Sequence, residues 1–151
     1  MISVLLVDDD PGILDLTRLF FEREPSILVK CCGSAISALA LLDTEWFDVI
    51  VADYGMPEMD GITFLKQLNA RGSTTPVIIF TGKSREEVVI EALNNGAAFY
   101  LPKGGDILIQ FTELKNMVMR AAQMGRSEKA RAHLASIVTS SDDAIFATNL
   151  D

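Results

Sequence analysis

Between Val49 and Pro57 a short β-branched run, Val49-Ile50-Val51-Ala52, ends in one carboxylate, Asp53, with Gly55 and Pro57 close behind. Such a run reads as a strand buried on both faces, the kind found in parallel sheets. The carboxylate then stands at the carboxyl end of its strand, where open α/β sheets place their ligands. Packing gives an acidic residue no reason to be there, so Asp53 is the centre around which the chain is read.

The pattern recurs along the chain. Ile2–Val7 is an apolar run followed by Asp8-Asp9-Asp10-Pro11-Gly12, with Pro11 near the first turn of a helical pattern carrying Ile13, Leu16, Leu19 and Phe20. Ile27–Cys32 is a second strand, and Ser34 is suited to cap a helix from Ala35 to Leu42. Asp48–Asp53 is the third strand; Asp60-Gly61 introduces Ile62, Phe64, Leu65 and Leu68 at helical spacing, closing at Arg71-Gly72. Pro76–Thr81 is the fourth strand, and a helix from Arg85 to Asn95 ends at Gly96, a good residue just past a helix end. A fifth strand, Ala98–Leu101, leads into Pro102-Lys103-Gly104-Gly105, and a last helix from near Asp106 carries Ile107, Phe111, Leu114, Val118 and Ala121 on one stripe. Strict alternation predicts an α/β, doubly wound, five-stranded parallel sheet flanked by five helices within about 122 residues.

Composition excludes several function classes. The chain has 151 residues, 49% hydrophobic, enough for one well-buried domain and little more. No apolar run approaches the ~20 residues needed to cross a bilayer, and the start lacks a basic leader, so a cytoplasmic protein is expected. A net charge of −8 argues against direct nucleic-acid binding. Cys31 and Cys32 are adjacent on a strand and point to opposite faces, which argues against a disulfide or a metal pair between them. His133, the only histidine, lies in a polar helical stretch and is assigned no role.

Four strand ends thus deliver Asp8 and Asp9, Asp53, Thr81 and Lys103 to one edge of the sheet. Three clustered carboxylates repel one another unless a cation sits among them, and an all-oxygen site suits Mg²⁺. A hydroxyl and an ammonium beside them suit the remaining oxygens of a phosphoryl group. Aspartate is a competent phosphoryl-accepting nucleophile, and the central Asp53 is the one left to attack.

Leu5-Leu6-Val7-Asp8-Asp9-Asp10, Asp53-x-x-Met56-Pro57-x-Met59-Asp60-Gly61, Thr81-Gly82 and Tyr100-Leu101-Pro102-Lys103 together resemble a two-component response-regulator receiver domain over about residues 1–122. The resemblance implies the flavodoxin-like, CheY-like strand order 2-1-3-4-5. It implies that a histidine kinase or phosphotransfer protein donates a phosphoryl group from phosphohistidine to Asp53. It further implies Mg²⁺ held by Asp9, Asp53 and the Gly55 backbone carbonyl, with Asp8 contributing through water. Lys103 would pair with a phosphoryl oxygen, Thr81 would bond another, and Tyr100 would rotate inward. The fourth helix, fifth strand and last helix would then switch, and are also the expected homodimer face. Such a domain catalyses only its own phosphorylation and dephosphorylation, so it is not read as an enzyme. Gly55 and Lys83, two residues beyond Asp53 and Thr81, are expected to tune dephosphorylation. One departure stands out: the family usually has a cis-joined Pro directly after the Lys, whereas here Gly104 follows, and the Gly-Gly pair is expected to leave Lys103 looser.

After Gly125 the character changes. A helical linker is expected over 123–135 and a truncated second domain over 136–151. Ser136-Ile137-Val138-x-Ser140-Ser141-Asp142-Asp143-Ala144-Ile145 with Asn149-Leu150-Asp151 is similar to the opening of a PAS sensor domain. Two alternatives compete. In a haloacid-dehalogenase-like phosphatase, Asp8 of Asp8-Asp9-Asp10 would be the nucleophile and Asp10 the acid, leaving Asp53 and its sequel unexplained. A receiver used purely for docking, without phosphorylation, would have no need of an intact acidic pocket.

Overall fold

A computed structural model describes residues 1–82 and 85–140, with side chains through Gly125. The chain alternates β1 (Ile2–Val7), α1 (Pro11–Glu22), β2 (Ile27–Cys32), α2 (Ala35–Leu42), β3 (Val49–Ala52), α3 (Gly61–Ala70), β4 (Val77–Thr81), α4 (Glu86–Asn94), β5 (Phe99–Pro102) and α5 (Ile107–Ser140). All strand pairs are parallel, and the sheet order is β2-β1-β3-β4-β5. The expected doubly wound order is the one found.

Side-chain alternation on the strands divides the core into two layers. Leu5, Val7, Ile50, Ala52 and Ile79 face Phe64 and Leu65 of α3 and Ala38 of α2. Val4, Leu6, Val51, Ile78 and Phe80 face Phe21 of α1 and Phe111, Leu114 and Val118 of α5. β3 and β4 lie inside the sheet and every one of their residues is buried, as a continuous apolar run requires. β2 is an edge strand, and Leu28 there is exposed.

The caps follow the sequence. Ser34 accepts from the Ser37 N–H, and Asp60 accepts from the Thr63 N–H at 2.7 Å. Gly96 takes a positive φ of 90° after α4, as a left-handed helix exit demands.

Two stripes differ from expectation. On α1 Thr17 and Phe21 are buried and the expected Phe20, partly buried, packs against the same layer, while Leu16 and Leu19 are exposed. Thr17 can be buried because its hydroxyl donates to the Ile13 carbonyl at 2.7 Å. On α5 the stripe Phe111, Leu114, Val118, Ala121 is buried as expected, but Ile107 in the first turn is exposed. The linker expected over 123–135 is continuous with α5, which runs as one helix to Ser140. Residues 141–151, most of the PAS-like start, lie outside the described residues, as does Lys83.

Cys31 packs with the α1/α5 layer and Cys32 with the α2/α3 layer, so the two thiols face apart and are free. Burial is the main cause pushing both thiols above their ordinary range. Thiolate is the reactive form, so iodoacetamide labelling at pH 7 is expected to be several-fold slower than for a free cysteine. Labelling as fast as glutathione would contradict this burial.

Candidate functional site

Three of the site residues are placed by ladder hydrogen bonds that run one residue past the strand ends. The Asp8 N–H donates to the Cys32 carbonyl at 3.1 Å, the Asp53 N–H to Val7 at 2.9 Å, and the Lys103 N–H to Thr81 at 2.8 Å. The sheet therefore sets the backbone of Asp8, Asp53 and Lys103 before any side chain chooses a rotamer. Thr81 ends β4 and is completely buried.

The carboxylates of Asp8, Asp9 and Asp53 offer oxygens within 4.8 Å of one another. Asp8 and Asp53 are buried, whereas Asp9 is exposed. Both oxygens of Asp8 are engaged: Oδ2 accepts from the Lys103 ammonium at 2.7 Å, and Oδ1 from the Asp10 N–H at 2.9 Å. Lys103 Nζ also lies 5.4 Å from the centre of the Phe80 ring. It reaches Asp53 Oδ1 only at 3.7 Å, a charge pairing without a hydrogen bond. Asp53 Oδ1 is thus a buried oxygen that no donor satisfies. Buried oxygens of this kind are uncommon and costly. Three converging carboxylates with one such orphan fit a hard divalent cation such as Mg²⁺, whose ligands are oxygens.

Burial raises the Asp8 carboxyl above its ordinary range, against the opposing pull of Lys103 and the Asp10 N–H. A raised folded value means that Asp8 supports folding most when protonated. Its contribution is complete below the ordinary carboxylate range and is lost as pH rises through the raised value. Asp8→Asn keeps the protonated shape at every pH. Its metal-free stability relative to wild type is therefore expected to climb from pH 3 towards pH 7 in urea titrations, and a flat difference would contradict the shift.

Asp10 belongs to a different job. Its carboxylate caps α1, accepting from the Gly12 N–H at 2.9 Å and more weakly from Ile13. Asp10 is engaged at a helix end and both Asp8 oxygens accept hydrogen bonds, an arrangement that counts against the phosphatase alternative. Tyr100 is half-buried on β5, packed against the α2/α3 layer. A groove lined by Pro76, Gly96 and Gly125 lies elsewhere, at the opposite end of the strands. Chemistry marks this site, and concavity does not.

Two contributors escape a reading of the sequence. A Cβ on Gly61 would lie 2.4 Å from the Asp53 carbonyl oxygen, so the start of α3 presses directly on the Asp53 loop. Gly104 adopts φ +145° and Gly105 φ +77°, and the loop they form is tied to α5. The Gln110 carboxamide accepts from the Gly104 N–H at 2.9 Å and donates to the Pro102 carbonyl. The Asp60-Gly61 pair signalled a helix start and nothing about contact; Gln110 carried no signal at all.

Comparison with known proteins is consistent with this geometry. A family model described as the response regulator receiver domain matches residues 4–125. Regulatory protein AtoC of Escherichia coli (strain K12) is 34% identical over 131 residues, covering 87% of this chain but 27% of AtoC. The chain therefore spans about a quarter of that regulator. The Francisella response regulator 1452 receiver domain superposes with a TM-score of 0.70 at 34% identity, covering 80% of this chain and 98% of that one. A CheY-like response regulator receiver domain protein from Methanospirillum hungatei JF-1 superposes with a TM-score of 0.75 at 27% identity, covering 85% and 98%.

Proposed function

Because this chain belongs to the response regulator receiver domain family of two-component signalling, we propose that Asp53 is its phosphoacceptor. The observation that carries the assignment is the buried, unsatisfied Asp53 Oδ1 beside an Asp8 whose oxygens are both taken. An Asp53 oxygen attacks the phosphorus of a partner's phosphohistidine. The P–N bond breaks, the new O–P bond forms, and the imidazole leaves with the electron pair and takes up a proton. Asp8, Asp9, Asp53 and the Gly55 carbonyl would hold Mg²⁺, which neutralises charge on the phosphoryl oxygens.

Lys103 has only to transfer its ammonium from Asp8, at 2.7 Å, to the group growing on Asp53, already 3.7 Å away. The Thr81 hydroxyl bonds a second phosphoryl oxygen, and Tyr100 moves inward behind it. Both lie on β4 and β5, so the change is passed to the α4–β5–α5 face, where a homodimer or output partner reads it. Dephosphorylation reverses the charge change with water as the nucleophile, and Gly55 and Lys83 tune its rate.

The donor is a sensor histidine kinase or a phosphotransfer protein, and residues 136–151 begin a PAS-like module that the receiver controls. The domain signals rather than turning over a substrate. A relay of this kind operates in the cytoplasm, and no helix among the described residues is long and apolar enough to cross a membrane.

The test is to incubate the protein with Mg²⁺ and acetyl phosphate, then locate the adduct by mass spectrometry after borohydride trapping. A Mg²⁺-dependent adduct on Asp53 is expected. An adduct on Asp8 would overturn the assignment in favour of a phosphatase-like nucleophile. No adduct on a folded domain would reassign it to docking alone.

A further inference from the structure

We propose that Gln110 is a positioning residue that aims the Lys103 ammonium; this rests on the reading of Lys103 as the phosphoryl partner. Lys103 lies one residue past β5, and its last sheet contact is the bond to the Thr81 carbonyl. Gly104 and Gly105 follow it, with φ of +145° and +77°, conformations that glycine reaches cheaply but also leaves easily. An ammonium at the end of a flexible stem is aimed no better than its Cα is held.

Gln110 supplies the missing hold. One planar carboxamide takes both backbone groups flanking Lys103: its oxygen accepts from the Gly104 N–H at 2.9 Å and its nitrogen donates to the Pro102 carbonyl. Lys103 is thereby gripped from the sheet on one side and from α5 on the other, as if a further strand lay beside it. The brace is itself anchored. The Gln110 N–H donates to the Asp106 carbonyl at 3.0 Å, and the Asp106 carboxylate caps the helix through the Leu108 and Ile109 N–H groups. Among the described residues no hydrogen bond joins Gln110 to a carboxylate of the site, so its influence passes through the Lys103 backbone.

The chemistry also explains the family departure at this turn. A proline at position 104 would offer no N–H to Gln110 and could not adopt φ +145°. Gly104 and Gln110 therefore form one solution, a hydrogen-bonded brace in place of a rigid ring. Methionine matches the length but makes neither bond, and glutamate keeps the acceptor while setting an oxygen against the Pro102 carbonyl.

The experiment measures beryllofluoride affinity in excess Mg²⁺ by ¹⁹F NMR, with thermal melts confirming that each variant folds. Gln110→Met is expected to weaken binding about 10-fold, and Gln110→Glu to weaken it measurably. In a Lys103→Met background, Gln110→Met should change the affinity by less than about twofold, since there is no ammonium left to aim. Wild-type affinity in Gln110→Met, or an undiminished loss in the Lys103→Met background, would overturn the positioning role. Wild-type affinity in Lys103→Met alone would instead overturn the underlying reading of Lys103.

Discussion

Asp53→Asn is expected to abolish phosphoryl incorporation from acetyl phosphate while making the metal-free domain more stable. The two effects share one cause. Asp53 contributes one of three carboxylates whose oxygens lie within 4.8 Å, and its Oδ1 is buried with no donor. An amide removes one charge from that repulsive set, and urea unfolding without divalent cations should show a gain of about 1–2 kcal/mol. The same amide is a far weaker nucleophile than a carboxylate. Mg²⁺ at a hundredfold above its dissociation constant should add about 2.7 kcal/mol to wild type and much less to the variant. Full phosphate incorporation into Asp53→Asn would remove Asp53 as the acceptor. A loss of stability would mean that the carboxylate is held by the fold rather than tolerated for chemistry.

Gly61→Ala should be strongly damaging, the worst of the glycine-to-alanine changes among the described residues. Its Cβ would meet the Asp53 carbonyl oxygen at 2.4 Å, the Tyr54 Cα at 3.0 Å and the Asp53 carbonyl carbon at 3.1 Å, all backbone atoms that cannot rotate aside. The Gly61 N–H also donates to the Tyr54 carbonyl at 2.8 Å, so the loop after β3 closes on its own starting point. Glu58 within that loop already carries a positive φ of 69°, leaving little slack to absorb a shift. Overpacking of this kind costs about 3 kcal/mol, visible as a lowered urea midpoint. Displacing the Asp53 backbone by about 1 Å should slow phosphorylation by roughly 10²-fold. Gly33→Ala is the control. A Cβ there meets nothing within 4 Å, and the stability change should stay within about 0.5 kcal/mol. Equal costs at both positions would show that contact with the Asp53 backbone is not what Gly61 is for.

The fold could be read along the chain because its signals are local. Apolar runs of four to six residues mark the strands, while Ser34, Asp60 and Gly96 mark helix ends through bonds that span only a few residues. The acidic site could be read because strand ends in a parallel sheet converge by topology alone. What stayed hidden depends on atoms brought together from afar. Apolar residues lie on more than one side of α1, and only packing against the sheet shows that Thr17 and Phe21 face inward. Asp8 and Asp9 are alike as letters, but one is buried against Lys103 and the other faces solvent. Gln110 sits in an ordinary helical first turn, and its service to Lys103, seven residues earlier, shows only when the turn closes.

α5 begins beside the Lys103 loop at the carboxyl edge of the sheet and passes Gly125 at the amino edge, where a Cβ would lie 3.2 Å from Pro76 Cδ and 3.9 Å from the Asp48 carbonyl oxygen. It then continues as helix to Ser140. At 1.5 Å per residue, the path from Gln110 to Gly125 is about 22 Å, so Gly125 lies at the opposite end of the sheet from Asp53. What the helix does transmit is angular phase, because each residue along it turns the next by about 100°. The direction in which downstream surfaces face is therefore counted off in residues from Gly125. Lengthening that stretch by one residue would swing those surfaces by more than a right angle, whereas lengthening it by seven would leave them nearly where they were.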